Sequence, residues 1–251
     1  MKLLHLADLH LGKRVNGFDL LEDQRAVLAQ VLALCEEHGV QAVALAGDIY
    51  DTPVPPAGAV LLLDWFLSEL CARGVAVLAV SGNHDSAERL DYAAGLLARQ
   101  GVNIAGRFTG RVPVAVLADA AGPVEFCLLP FVRTAAVRHF LPDAVLVAHQ
   151  TVLAGKTPPA CAGSESVAAA LAPGREGPVI GMVEAVQAAR FAENGGFDYV
   201  ALGHIHRSQA VGSETVRYAG SLLSYSLDEC AGGAAPQKSA VLADIAPGGV
   251  T

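Results

Sequence analysis

Apolar and polar positions follow two alternating rhythms along this chain. Short apolar runs end in polar or glycine-marked turns, and longer stretches between them carry apolar residues at helical spacing. "KLLHLA" (2–7), "VQAVALA" (40–46) and "VAVLAV" (75–80) read as buried strands. "FDLLEDQRAVLAQVLALCEEHG" (18–39) reads as a helix, with Leu21, Leu28, Val31, Leu32 and Cys35 on one face. Asp19 is its expected N-cap, Glu22 completes a D-x-x-E capping box, and Gly39 is its C-cap. A second helix is expected over Ala57–Arg73, closed by Gly74, and a third near Glu88–Arg99. "VPVAVLA" (112–118) and "VEFCLLPF" (124–131) read as antiparallel strands around "DAAGP". "AVLVA" (144–148) and "DYVAL" (198–202) are short buried strands, and "TVRYAGS" (215–221) and "SAVLADI" (239–245) close the chain as strands. Gly155–Pro178 and "AGGAAPQ" (231–237) have loop composition. The alternation predicts an α/β sandwich that begins with β-α-β units, with sheet layers inside and helices outside.

Composition narrows the classes. The 251 residues fit one large domain, without repeat or linker, and 53% hydrophobic content excludes a disordered chain. The richest apolar stretch, Ala57–Val80, is broken by Asp64, Glu69 and Arg73, so it falls short of the roughly 20 residues of a membrane span. "MKLLHLADLH" meets Asp8 and His10 too early for a signal peptide, so a cytoplasmic protein without membrane contact is expected. The five cysteines, Cys35, Cys71, Cys127, Cys161 and Cys230, form no C-x-x-C pair and read as reduced thiols. A formal net charge of −8 argues against holding nucleic acid by bulk charge. It leaves room for a nucleic-acid enzyme whose metal ions offset the local charge.

The chemistry lies just past the strands. "DLH" brings Asp8 and His10, "GDIYD" brings Asp48 and Asp51, and "GNHD" brings Asn83, His84 and Asp85. His149 follows strand 144–148, and "GHIH" brings His204 and His206 after strand 198–202. Five of the eight histidines sit in these strand-end loops; His5, His38 and His139 read as structural. Ligands of open α/β sheets bind at the carboxyl ends of strands, so these loops can converge. Imidazole mixed with carboxylate suits Mn, Fe, Zn or Co better than Ca or Mg. Two such ions about 3.5–4 Å apart can clamp a phosphoryl group for in-line attack by water. The chain carries neither a nucleophile elbow nor a P-loop, which disfavours acyl transfer and P-loop nucleotide hydrolysis.

The set DLH…GD…GNHD…H…GHIH resembles the calcineurin-like metallophosphoesterase superfamily. "LHLADLHLGK", "AGDIYDT", "SGNHDS", "YVALGHIHRSQ" and "VRYAGSLLSYSLDE" resemble, more closely, the SbcD family of DNA double-strand-break repair nucleases, over Met1 to about Asp228. That resemblance implies a four-layer α/β/β/α sandwich with mixed sheets. It implies two metal ions, usually Mn²⁺: one on Asp8, His10, Asp48 and His206, the other on Asp48, Asn83, His149 and His204, with Asp48 bridging. His84 would be the general acid on the leaving oxygen, with Asp85 orienting it. The implied partners are DNA, an SbcC-type ATPase and a second copy of the chain. The family's capping domain and ATPase-binding C-terminal segment are not expected within residues 1–251.

A small phosphodiesterase or phosphatase acting on nucleotides would use the same core. A decayed binding scaffold, such as the retromer subunit of this superfamily, would have lost ligands, and all seven ligand positions are filled. Lys13, Arg14 and Arg89 are candidates for positioning a phosphate backbone, and Arg207 for bracing an acidic neighbour. The helix over Ala57–Arg73 is apolar almost all round (Val60, Leu61, Leu62, Leu63, Trp65, Phe66, Leu67, Leu70), more than the single stripe a surface helix needs. Either other elements of the chain cover it or, as the resemblance implies, it dimerises beside the helix near Glu88–Arg99.

Overall fold

The computed structural model describes residues 1–132, 179–184, 197–226, 229, 238–247 and 249–251. The expected strand 144–148, the two long loops, His139, His149, Cys161 and Cys230 lie outside them. The described strands form two sheets. The first runs β14 (Gly249–Val250), β13 (Val241–Ala246), β1 (Lys2–Leu6), β4 (Ala42–Ala46), β5 (Ala76–Val80), β6 (Val102–Ala105). From β1 to β6 its pairs are parallel; β13 is antiparallel to β1 and to β14. The second runs β11 (Gln209–Val211), β12 (Ser213–Tyr218), β10 (Tyr199–Gly203), β9 (Val179–Glu184), β8 (Gly122–Leu129), β7 (Val114–Asp119). Its inner strands are parallel and its edges antiparallel. The α/β class with mixed sheets is therefore the observed one.

Continuous apolar runs become strands here because both faces of the first sheet are buried. Leu4, Leu6, Val43, Leu45, Val77 and Ala79 face α1 (Leu21–His38) and α2 (Ala57–Ala72), meeting Leu28, Val31, Leu32, Leu62, Phe66 and Leu70. The opposite residues, Leu3, Ala42, Ala44, Ala46, Leu78 and Val80, meet Phe126, Leu128, Met182 and Tyr199 of the second sheet. The alanines make room for those large side chains, so the two sheets interdigitate. These are three layers, α/β/β; the helices expected over the outer face of the second sheet are not among the described residues.

His5 stitches the sheets together. It is fully buried, accepts the Tyr199 hydroxyl hydrogen at Nδ1 (3.0 Å) and donates from Nε2 to the Leu202 carbonyl (3.2 Å). This is the structural role expected of it. Burial pushes its pKa down to about 3. The described cysteines, Cys35, Cys71 and Cys127, are not in disulfides.

Two helix boundaries differ from expectation. α1 starts at Leu21, and its N-cap, Leu20, offers no side-chain acceptor. Arg14–Val15 (β2) and Phe18–Asp19 (β3) instead form a hairpin around Asn16 and Gly17, both at positive φ (51° and 87°). Asn-Gly between paired residues is the turn that matches strand twist, and it takes residues 14–19 out of helical reach. Asp19 still serves locally, accepting Leu21 N–H at 2.9 Å. The helix expected over 88–99 is broken into α3 (Ala87–Leu90), α4 (Ala94–Leu97) and a 3-10 turn at Ala98–Gln100, with Ala93 at φ 59° between. The carboxylate of Asp91 accepts Gly106 N–H and the Arg107 guanidinium, both at 2.7 Å, and so ties the chain to the end of β6 where a helix would have continued.

α2 is closed by Gly74 as expected, and most of its apolar surface is used within the chain. Ala59, Leu62, Leu63, Phe66 and Leu70 are buried, and the Arg25 guanidinium stacks 4.2 Å over Trp65. No helix of the described residues is long and apolar enough to cross a membrane.

Candidate metal centre

β1, β4 and β5 are parallel neighbours, so the turns after them lie side by side. Asp8 N–H donates to Gly47 O (3.2 Å), His10 N–H to Asp48 O (2.9 Å) and Leu11 N–H to Ile49 O (2.9 Å), which locks the DLH turn onto the GDI turn. The GNHD turn is fastened through Asp85. Its carboxylate accepts the backbone N–H groups of Ile49 (3.0 Å), Tyr50 (2.8 Å) and Gly82 (2.8 Å). Burial pushes Asp85 up to about 6, against the pull of those three donors. Gly82 permits this approach: a Cβ there would lie 2.1 Å from Asp48 N and 2.2 Å from its Oδ1. Gln24 of α1, almost fully buried, donates to the carbonyls of Leu9 (3.3 Å) and His10 (2.7 Å) and accepts Gly12 N–H (2.9 Å).

The second sheet delivers His204 and His206 just past β10. His204 N–H donates to Asp8 Oδ1 at 2.9 Å, and His204 Nδ1 lies 2.9 Å from Asn83 Oδ1. Asp48 Oδ1 accepts His84 N–H at 2.7 Å, and Oδ2 lies 3.7 Å from His10 Nε2. Asp8, His10 and His206 offer ligand atoms within 4.8 Å of one another, as do His10, Asp48 and His84. Thus Asp8, His10, Asp48, Asn83, His84, His204 and His206 gather in one place; His149 lies outside the described residues.

Backbone strain marks the same positions. Among the described residues, Asp8 (φ 52°), His10 (43°), Asp48 (44°) and His204 (85°) are four of the six non-glycine residues at positive φ. Such conformations cost on the order of 1–3 kcal/mol each and persist where the surroundings impose them.

The donor set fits a cation. His10 Nε2 and His206 Nε2 stand 3.1 Å apart. Each ring turns its other nitrogen to a carboxylate: His206 Nδ1 to Glu229 Oε1 at 3.2 Å, His10 Nδ1 to Asp51 Oδ1 at 3.3 Å. The Glu229 carboxylate accepts, so His206 Nδ1 carries hydrogen and its Nε2 lone pair faces His10. Two converging Nε2 atoms beside the carboxylates of Asp8 and Asp48 form a ligand set for a divalent metal ion. Nitrogen and oxygen donors without thiolate suit Mn, Fe, Zn or Co.

Each of these carboxylates has a lysine. Asp51 Oδ1 accepts Lys13 Nζ at 2.8 Å, and Glu229 Oε2 accepts Lys238 Nζ at 2.6 Å. Burial works to raise both acids, yet the imidazole and ammonium partners hold each below its ordinary value. Lys13, expected to be a phosphate contact, is thus engaged by Asp51, whereas Arg14, Arg89 and Arg207 are exposed. Arg14 Nη2 donates to Gly17 O at 2.9 Å.

His84 differs from the other site imidazoles. Its Nδ1–H donates to the Asp51 carbonyl at 2.9 Å, which leaves Nε2 for proton transfer. Asp85 reaches His84 through the backbone: it holds Ile49 and Tyr50, and the next carbonyl, that of Asp51, holds the ring. Sequence reasoning left Gln24, Tyr225, Glu229 and Lys238 without a role and took Asp51 as a possible ligand. Tyr225 donates its hydroxyl to the Leu9 carbonyl, and its ring stands edge-on to His10 (5.3 Å) and His206 (5.9 Å). Tyr225 and Glu229 belong to the "SYSLDE" segment; the only signal for them was that segment's likeness to SbcD proteins.

A family model described as calcineurin-like phosphoesterase matches residues 1–208. The chain belongs to the calcineurin-like phosphoesterase family. A dimetal phosphatase from Danio rerio has a similar fold, with a TM-score of 0.53 at 13% identity over 98% of this chain and 93% of that one. A weaker match, to the phosphoesterase Yfce from E. coli, has a TM-score of 0.27 at 21% identity over 51% of this chain and 56% of that one. Family membership and the convergent ligand set together make this chain a metal-dependent phosphoesterase.

Proposed function

We propose that this phosphoesterase is a DNA nuclease of the SbcD type. It cleaves phosphodiester bonds at DNA ends with two Mn²⁺ ions, as a cytoplasmic homodimer working beside an SbcC-type ATPase. One observation supports this reading over a generic phosphoesterase. The family model ends at residue 208, yet the SbcD-like segment beyond it places Tyr225 and Glu229 against the metal-ligand histidines.

In this reading Asp8, His10, Asp48 and His206 hold one ion, and Asp48, Asn83, His149 and His204 the other. The pair supplies Lewis acidity and charge neutralisation to the phosphoryl group. His84 gives a proton from Nε2 to the departing sugar oxygen, while its Nδ1–H stays on the Asp51 carbonyl. Asp85 keeps the GNHD turn against Asp48.

The proposed dimer uses apolar surface that the described residues leave exposed: Leu61 (68% exposed) on α2, and Tyr92 (82%) and Leu96 (65%) around α4. A twofold contact pairing these patches would bury them. Light scattering after size exclusion reads this directly, and a monomer mass at tens of micromolar would exclude a stable dimer.

A phosphatase or phosphodiesterase acting on nucleotides is the alternative, favoured by the net charge of −8 and by the engagement of Lys13 with Asp51. Assays with Mn²⁺ on linear duplex DNA, beside mononucleotides and cyclic nucleotides, decide between them. Faster turnover of the small substrates with intact DNA would overturn the nuclease reading.

A further inference from the structure

We propose that Glu229 and Lys238 are positioning residues that fix His206 as an Nε2 ligand and so set the affinity of the ion it shares with Asp8 and His10. The inference rests on reading His206 as a metal ligand. A ring that binds metal through Nε2 must carry its hydrogen on Nδ1, and isolated histidine side chains favour the opposite tautomer. Glu229 Oε1 accepts from His206 Nδ1 at 3.2 Å and so selects the binding tautomer. The same oxygen accepts Tyr225 N–H at 3.2 Å, which fixes the carboxylate from the backbone. Lys238 Nζ completes the arrangement: it donates to Glu229 Oε2 at 2.6 Å and to Ser221 Oγ at 2.9 Å.

The lysine has two consequences. It orients the carboxylate by occupying its second oxygen. It also cancels a negative charge that would otherwise draw the proton or the cation outward, away from Asp8 and Asp48. A similar carboxylate–lysine pair stands behind His10, where Lys13 holds Asp51 at 2.8 Å and Asp51 Oδ1 lies 3.3 Å from His10 Nδ1. His204 is built differently: its Nδ1 faces the ligand Asn83, 2.9 Å away. Among the described residues the carboxylate–lysine pair stands behind His10 and His206, both assigned to one ion, so its loss should weaken that ion selectively.

The test uses the full chain. Long-range ¹H–¹⁵N spectra of the metal-free wild type should show His206 with its hydrogen on Nδ1. Glu229→Met, isosteric but without a carboxylate, should shift it towards the Nε2–H form. Calorimetric Mn²⁺ titration should then show one site weakened about 10–100-fold and the other within about threefold of wild type. Glu229→Gln keeps an acceptor and should recover the Nδ1–H tautomer and most of the affinity. Lys238→Met should cost less than Glu229→Met at that same site. An Nε2–H tautomer in the metal-free wild type overturns the proposal, even if no variant folds. So does a folded Glu229→Met protein with unchanged affinity at both sites. A wild type that binds no divalent ion would defeat the metal reading instead, and the tautomer would still test the relay.

Discussion

The two sheets feed one centre by different means. The first sheet sends three adjacent parallel strands into it, and their turns are locked to one another by main-chain hydrogen bonds and by Asp85 on three backbone N–H groups. Among the described residues the second sheet sends one strand, β10, and its His-x-His turn is held mainly by side chains distant in sequence, Asp8, Glu229 and Lys238, beside one backbone bond from Ser221 N–H to His206 O. The first arrangement is rigid because removing it means breaking backbone pairs. The second is adjustable because single side chains set it. Parallel β-α-β units make the first kind of site out of local sequence, whereas a mixed sheet must recruit distant residues to make the second.

Mutations on each side should therefore fail differently. The largest effect is expected at Asp48, whose carboxylate stands between the His10 and His84 sides of the centre. Asp48→Ala should lose both ions and bring phosphodiester hydrolysis to background; elemental analysis that still finds two Mn²⁺ per chain would remove Asp48 as the bridge. His84→Ala should keep both ions and lose about 10²–10⁴-fold on DNA, because a poor leaving group needs the proton. On an aryl phosphodiester, whose leaving group needs little protonation, the loss should be far smaller. Equal losses on the two substrates would contradict the acid role.

A pair of glycines compares the two sides directly. At Gly82 a Cβ would strike Asp48 N at 2.1 Å, so Gly82→Ala should drive the GNHD turn off its neighbour, with loss of both ions and at least about 2 kcal/mol of stability. Gly220 has φ +75°, and a Cβ there would meet Ser208 N at 2.7 Å and His206 O at 2.8 Å. Gly220→Ala should cost about 1–2 kcal/mol from the left-handed backbone and disturb the His206 ion alone. Urea unfolding with metal stoichiometry reads both variants. Equal metal loss in the two would erase the distinction between a locked and an adjustable side.

That distinction also explains what the sequence discloses. The first-sheet strands and their candidate ligands are legible because each apolar run and the turn after it are contiguous. Asp8, His10, Asp48 and Asn83 declare themselves by position alone. The hairpin at residues 14–19 carries its Asn-Gly signal in plain view, but the helical pattern beyond it masks the boundary. The break within 88–99 is not visible locally, because Asp91 leaves the helix for Gly106, fifteen residues away. Glu229 and Lys238 are the extreme case: each is an ordinary charged residue until the fold places it behind His206. β6 escapes notice because its apolar run, VNIA, is only four residues long, and β9 because Gly181 interrupts VIGMVE directly after a stretch of loop composition.

The smallest effect on the metal centre itself is expected at the seam between the sheets, where His5 of β1 meets Tyr199 and Leu202 of β10. Its neutral ring satisfies both partners, the Tyr199 hydroxyl donating to Nδ1 and Nε2–H donating to the Leu202 carbonyl. A protonated ring would present two donors and lose the first bond. Burial holds its folded pKa at about 3, below the 6.5 of the exposed side chain. Between those values the unfolded chain binds the extra proton and the folded one does not. The contribution of His5 is therefore complete above pH 6.5 and is lost as pH falls towards 3, at roughly 1.4 kcal/mol per pH unit between pH 6 and 4. Other groups titrate in that range, so the measurement is a difference: urea unfolding of wild type and His5→Asn from pH 4 to pH 8. The variant should be less stable than wild type at pH 8, and the gap should narrow steadily below pH 6.5. Parallel stability curves for the two proteins would mean that the seam tolerates a charged imidazole and that the two sheets are not joined through a neutral one.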